Sequence, residues 1–128
     1  MTPTTILAVA IGGALGSVAR YLVGFYFGRA FGSAFPWSTL FINISGSFLI
    51  GAFAESFALR WNADLATRIF LITGICGGYT TFSAFSLEVV TLMSRGAVAA
   101  AAGYIVSSVV LSIGALYAAL FLLRRFYS

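Results

Sequence analysis

The chain has 128 residues, of which 61% are hydrophobic and only 8% charged, where a soluble domain carries about 25%. Its net charge of +4 comes entirely from arginine, and it contains no histidine and a single cysteine, Cys76. A mean hydropathy of +1.05 with no polar stretch long enough to fold alone makes it a polytopic membrane protein without an aqueous domain. An intrachain disulfide is excluded, and zinc, haem and iron–sulfur sites lack their usual ligands.

The first span is expected over residues 4–27. No positive residue precedes its apolar region and glycines interrupt it, so it reads as an uncleaved transmembrane helix, not a signal peptide. Gly12, Gly16, Arg20, Gly24 and Gly28 recur every four residues, which places them on one helical stripe. Small residues at that spacing let another helix approach closely. Arg20 shares the seam; it either snorkels to the headgroups or is an anchor that pairs with backbone carbonyls or attracts anions. A link with Phe35-Pro36-Trp37 follows, placing the tryptophan at headgroup level.

The second span is expected over residues 38–57. Thr39, Asn43 and Ser47 lie four apart. A buried amide in lipid must be hydrogen-bonded, so Asn43 either bridges helices or donates to a passing anion. Glu55 is expected to reach water at the far end. The loop with Arg60, Trp61, Asn62 and Asp64 reads as an exposed interfacial link.

The third span, 68–94, holds the stretch T-G-I-C-G-G-Y-T-T-F-S-A-F-S-L-E from Thr73 to Glu88. Glycine costs about 1 kcal/mol in a helix interior relative to alanine. A Gly-Gly pair beside two β-branched threonines therefore predicts a break between Gly74 and Thr81, after a plain apolar helix from Ile69 to Ile75. Two readings fit: a kink with close packing, or an ion site made by freed carbonyls. Beyond the break, Phe82 and Phe85 share a helical face. Glu88 is the one acid well inside a span; it reads as a relay carboxylate or as a helix-end residue near water.

The fourth span, 97–123, is long enough to tilt. Tyr104, Ser108 and Ser112 repeat at four, a polar stripe on an apolar helix. Such serines either bond their own i−4 carbonyls or line a path. Arg124 and Arg125 close the span.

Four spans place both termini on one side, with Arg60, Arg68, Arg124 and Arg125; the other side has Arg29 and Arg95, with Arg20 near it. Four against three barely selects an orientation, so insertion both ways and antiparallel pairing are expected. So small a chain also has few side chains with which to wall a cavity, which favours a two-fold oligomer. No basic run exceeds Arg124-Arg125, and no nucleic-acid partner is expected.

The runs G-G-A-L-G-S-V-A-R-Y at 12–21, S-T-L-F-I-N at 38–43 and G-I-C-G-G-Y-T-T-F-S-A-F-S-L-E at 74–88 resemble the Fluc (CrcB) fluoride channels, and the resemblance covers essentially the whole chain. It implies an all-α integral membrane fold with four helices per subunit in one channel domain over residues 1–128, an antiparallel dual-topology homodimer with two pores, and passive export of fluoride across a bacterial cytoplasmic membrane. It implies that Asn43, Phe82 and Phe85 line the pore, with Thr39, Thr81, Tyr104, Ser108 and Ser112 along its polar track and Glu88 near that track. Arg20 matches the family's vestibule arginine. Backbone carbonyls of Gly77 and Thr80 from each subunit would hold one structural sodium ion. Two positions depart from the family: Ser38 where glycine is usual, and Ala84 where a hydroxyl is common.

The competing function is a small multidrug-type proton-coupled exporter, also of four spans. That class is expected to carry an acid in the first span, and this chain has none there, so Glu88 would have to serve from the third. Nucleophilic catalysis needs an activating partner; without histidine and with only Glu55, Asp64 and Glu88 as acids, the chain is read as not an enzyme.

Overall fold

A computed structural model describes residues Met1–Ser128. The protein is all-helical, with four helical stretches long and apolar enough to cross a membrane. Helix α1 is Pro3–Phe31 and α2 is Trp37–Leu59. The third stretch comprises α3 (Leu65–Arg68), a π-helical segment (Ile69–Cys76), the short turn α4 (Gly77–Tyr79) and α5 (Phe82–Ser94). The last helix, α6, is Val98–Phe126. The observed spans extend beyond the expected ones at most ends, because capping and interfacial residues continue the helices past the apolar core.

Local sequence sets most helix ends. Thr2 caps α1 in a reciprocal capping box with Thr5, and Pro3 takes the first helical position, where a missing N–H costs nothing. Asp64 accepts from the Thr67 amide at 3.0 Å to start α3. Thr81 accepts from the Ala84 amide at 3.1 Å to start α5. Gly32 and Gly96, at φ of 75° and 77°, carry the chain out of α1 and α5 in a conformation that a side chain disfavours.

Two kinds of packing hold the helices together. On one side, α1 lies against the π-helical segment through glycine. A Cβ on Gly12 would stand 2.6 Å from the Phe70 carbonyl oxygen, and one on Gly16 would overlap the Ile75 carbonyl oxygen. Gly74 and Gly78 make the reciprocal approaches, to the Gly12 and Gly13 backbones at 2.9 and 2.6 Å. The stripe is thus a packing seam at its N-terminal half only, since Gly24 meets just the Ser38 hydroxyl and Gly28 meets nothing. On the other side, α2, α5 and α6 enclose a cluster of Leu40, Phe85, Leu92, Ala101 and Tyr104. Gly51 of α2 also admits the backbone of Leu116 and the Ala119 methyl of α6.

Glu55 does not reach water. It is 7% exposed and faces Arg124, whose Nε and Nη2 donate to its two carboxylate oxygens at 3.4 and 3.5 Å. The Ser56 and Tyr127 hydroxyls bond at 3.3 Å beside it, and Arg60 donates to the Tyr127 carbonyl at 3.2 Å. The end of α6 is thereby tied to the end of α2. The expectation failed because the partner for this acid comes from a residue far along the chain.

Candidate functional site

The third stretch is interrupted, but the glycines are not where it breaks. Gly74 lies within the π-helical segment, and Gly77 and Gly78 lie in helical turn α4. The backbone leaves the helix only at Thr80 (ψ 159°) and Thr81 (φ −154°, ψ 124°). Gly74 and Gly78 are needed for contact with α1, while Gly77 meets only the Ile72 carbonyl of its own helical stretch; the two β-branched threonines favour extended backbone. The preceding segment, expected as plain α-helix, is wound as a π-helix, a form rare in general and frequent at functional sites.

Asn43 of α2 holds the break open. Its Oδ1 accepts from the Thr81 amide at 2.9 Å and its Nδ2 donates to the Thr81 carbonyl at 3.0 Å. In a continuous α-helix the Thr81 amide would donate to the Gly77 carbonyl, and the Ala84 amide to the Thr80 carbonyl. Here the first goes to Asn43 and the second to the Thr81 hydroxyl. The Gly77 and Thr80 carbonyls are therefore released from those helical bonds, while the Thr80 hydroxyl turns back to the Cys76 carbonyl at 2.9 Å.

Beside the break runs a groove of about 320 Å³. It gathers Asn43, Thr81, Phe82, Phe85, Ser108 and Ser112, with Thr80 and Ser47 also on its wall. Ser47 is not among the residues the sequence assigned to the pore, although its place four residues after Asn43 pointed to the same helical face. The Phe82 and Phe85 rings stand 5.4 Å apart at 48°. Phe82 is 78% exposed and Phe85 only 8%.

The serines of α6 divide into two kinds. Ser107 bonds the Gly103 carbonyl at 2.6 Å, as an isolated serine in an apolar helix does. Ser108 and Ser112 bury hydroxyl oxygens that have no partner at all. Both residues line the groove wall.

Past Phe85 the polar residues continue as a closed cluster. Thr39 donates to Glu88 Oε2 at 2.9 Å and Tyr104 donates to Glu88 Oε1 at 2.8 Å. Tyr104 is fully buried, with its ring 5.0 Å from Phe85 and 5.5 Å from Phe35. Glu88 is thus a bonded carboxylate between α2 and α6. Arg20 lies apart from the groove, in a cleft with Thr39, Thr81 and Ala84; its Nε donates to the Gly78 carbonyl at 3.1 Å. It does not simply snorkel: it pins the helix just before the break.

A multi-pass helical membrane protein with a discontinuous helix, freed carbonyls and a polar groove has the construction of channels and transporters, where irregular backbone survives only against protein or a water-filled cavity. The chain belongs to the CrcB-like protein (Camphor Resistance, CrcB) family, whose model matches residues 7–120. It is 66% identical over 121 residues to a protein of Nitrobacter hamburgensis named fluoride-specific ion channel FluC 1, covering 94% of this chain and 96% of the relative. Proteins named fluoride-specific ion channel FluC are 53% identical in Agrobacterium fabrum, covering 95% of this chain and 98% of the relative, and 50% identical in Rhodospirillum centenum, covering 93% and 94%.

Proposed function

We propose that this protein is a fluoride-selective channel of the plasma membrane that lets cytoplasmic fluoride leave passively, working as an antiparallel homodimer with two pores and a central sodium ion. The observation that carries the reading is the groove beside the broken helix, which gathers Asn43, Thr81, Phe82, Phe85, Ser108 and Ser112. Relatives named as ion channels, at 50–66% identity, support it and argue against an enzyme.

The groove suits the ion. Fluoride is small and strongly hydrated, so a pore must replace its water with donors that do not hold it too tightly to leave. Neutral hydroxyls on Thr81, Ser108 and Ser112 meet both demands. Aromatic ring edges are positive, so Phe82 and Phe85, which line the same groove, would polarise towards an ion that has left its water. Asn43 spends its amide on Thr81, so its part is to fix the break and carry the neighbouring hydroxyl into the groove. Thr39, Glu88 and Tyr104 extend the polar track beyond the phenylalanines.

The sodium fits the donor set. Hard cations take oxygen ligands, and unwound carbonyls coordinate sodium in discontinuous membrane helices. The carbonyls of Gly77 and Thr80, released from helical bonding, would hold it together with the same pair from a second subunit. Bound there, the ion would tie the subunits and raise the local potential for anions.

The test is fluoride efflux from liposomes carrying purified protein, followed by a fluoride electrode with a K⁺ ionophore and no pH gradient. Rapid fluoride release with chloride retained is expected. Release only under an imposed proton gradient would replace this reading with the proton-coupled exporter and make Glu88 the coupling residue.

A further inference from the structure

The cleft on the far side of Glu88 contains a cation that neither the polar track nor the break uses. It measures about 300 Å³ and lies between the C-terminal part of α1, the link before α2 and the C-terminal part of α5. Glu88 is the one carboxylate and Arg95 the one cation on its wall. Glu88, Thr91 and Arg95 line it together, at spacings of three and seven that put them on one face of α5. At 1.5 Å per residue, Arg95 stands about 10 Å further along that helix than Glu88. Glu88 also bonds Thr39 and Tyr104, so this cleft ends on the carboxylate that closes the polar track.

An anion crossing the cleft meets the Glu88 carboxylate, which repels it. Arg95 has no carboxylate partner, since the chain's ion pair is Arg124 with Glu55. Its Nη2 donates to the Ala34 carbonyl at 2.9 Å, which fixes the head across the cleft and leaves other guanidinium N–H groups free. A fixed charge at the mouth of a low-dielectric cleft concentrates counter-ions there. We infer that Arg95 is the anion-collecting residue at one mouth of the channel, offsetting Glu88 for fluoride that enters or leaves through this cleft.

The inference rests on the channel reading, and the two fail differently. Wild-type protein that releases no fluoride from liposomes would fail the channel reading and this inference with it. With wild-type release established, Arg95→Gln is expected to lower the flux about threefold near 0.01 M ionic strength, where charges act over about 30 Å, and to match wild type at 1 M, where they act over about 3 Å. Arg95→Lys should keep wild-type flux at both. The natural chain contains no lysine, so acetylating the folded Arg95→Lys protein removes that side chain's charge after assembly, with acetylated wild type as control. The acetylated protein should show the same salt-dependent loss, which keeps the test decisive if Arg95→Gln does not fold. Flux equal to wild type at low ionic strength would overturn the inference. So would an equal loss at both ionic strengths, the mark of Arg95 acting only as a clamp on Ala34.

Discussion

Asn43 makes a bond that no spacing rule in the sequence contains: both ends of its amide meet the backbone of one residue, Thr81. Asn43→Ala leaves two backbone groups of Thr81 without partners. Each such group costs about 1–3 kcal/mol, so a clear fall in melting temperature is expected, with at least a tenfold loss of liposomal fluoride flux. Wild-type flux in that variant would show that the break does not depend on this amide. The two phenylalanines separate along the same line. Phe82 is exposed and Phe85 belongs to the buried cluster with Leu40 and Tyr104. Phe82→Ile should lower flux while leaving thermal stability unchanged. Phe85→Ile should lower both, costing about 1–2 kcal/mol, below the range for full truncation of a buried phenylalanine. Equal stability losses would contradict the difference in burial. The sequence singled out Asn43, both phenylalanines and the serine stripe from residue type and spacing. Which serines lacked partners depended on the neighbours that α2 and α5 bring to α6.

The third helix shows what glycine does in this fold. From the sequence, Gly77 and Gly78 beside two threonines marked the interruption, and an interruption is present. Its position, however, is Thr80–Thr81: Gly78 serves the approach to α1, and Gly77 stays in the helical turn. Propensity gave the existence of a break; it could not separate a glycine that weakens a helix from one that lets another backbone come close. The seam gives its own prediction. Gly16→Ala places a methyl on the Ile75 carbonyl, a clash between two backbones with no flexible side chain to yield. Overpacking of this kind costs about 1–3 kcal/mol, and a marked loss of folded protein by size-exclusion chromatography in detergent is expected. Gly28→Ala, on the same stripe with open space around it, should fold as well as wild type. Normal behaviour of Gly16→Ala would mean that α1 and the π-helical segment do not pack this closely.

For the whole molecule, arginines sit at both ends of the bundle. Arg60, Arg68, Arg124 and Arg125 stand at the end with the termini, and Arg29 and Arg95 at the other, with Arg20 nearer to it. So slight a bias leaves orientation open, and an antiparallel homodimer needs both orientations. A thiol-reactive or protease-sensitive tag on the C-terminus should therefore be reached from both sides of the membrane in a population of cells. Reaction from one side alone would end the antiparallel reading. A substantial asymmetry introduced by placing positive residues in the 60–64 loop should convert the mixed population to one orientation and abolish flux.

The sequence by itself determined the membrane class, the number of spans, the existence of an interrupted third helix and the residue types on each polar stripe. Those properties follow from local hydropathy and from periodicities within single helices, which each segment carries without reference to the others. Tertiary structure alone decided where the third helix breaks, that Glu55 is buried against Arg124, that Arg20 holds the Gly78 carbonyl, and that Ser108 and Ser112 are left without partners. Each of these depends on a backbone or side chain tens of residues away, and in a membrane, where no water is available to satisfy a polar group, the neighbouring helix settles whether that group is bonded or free.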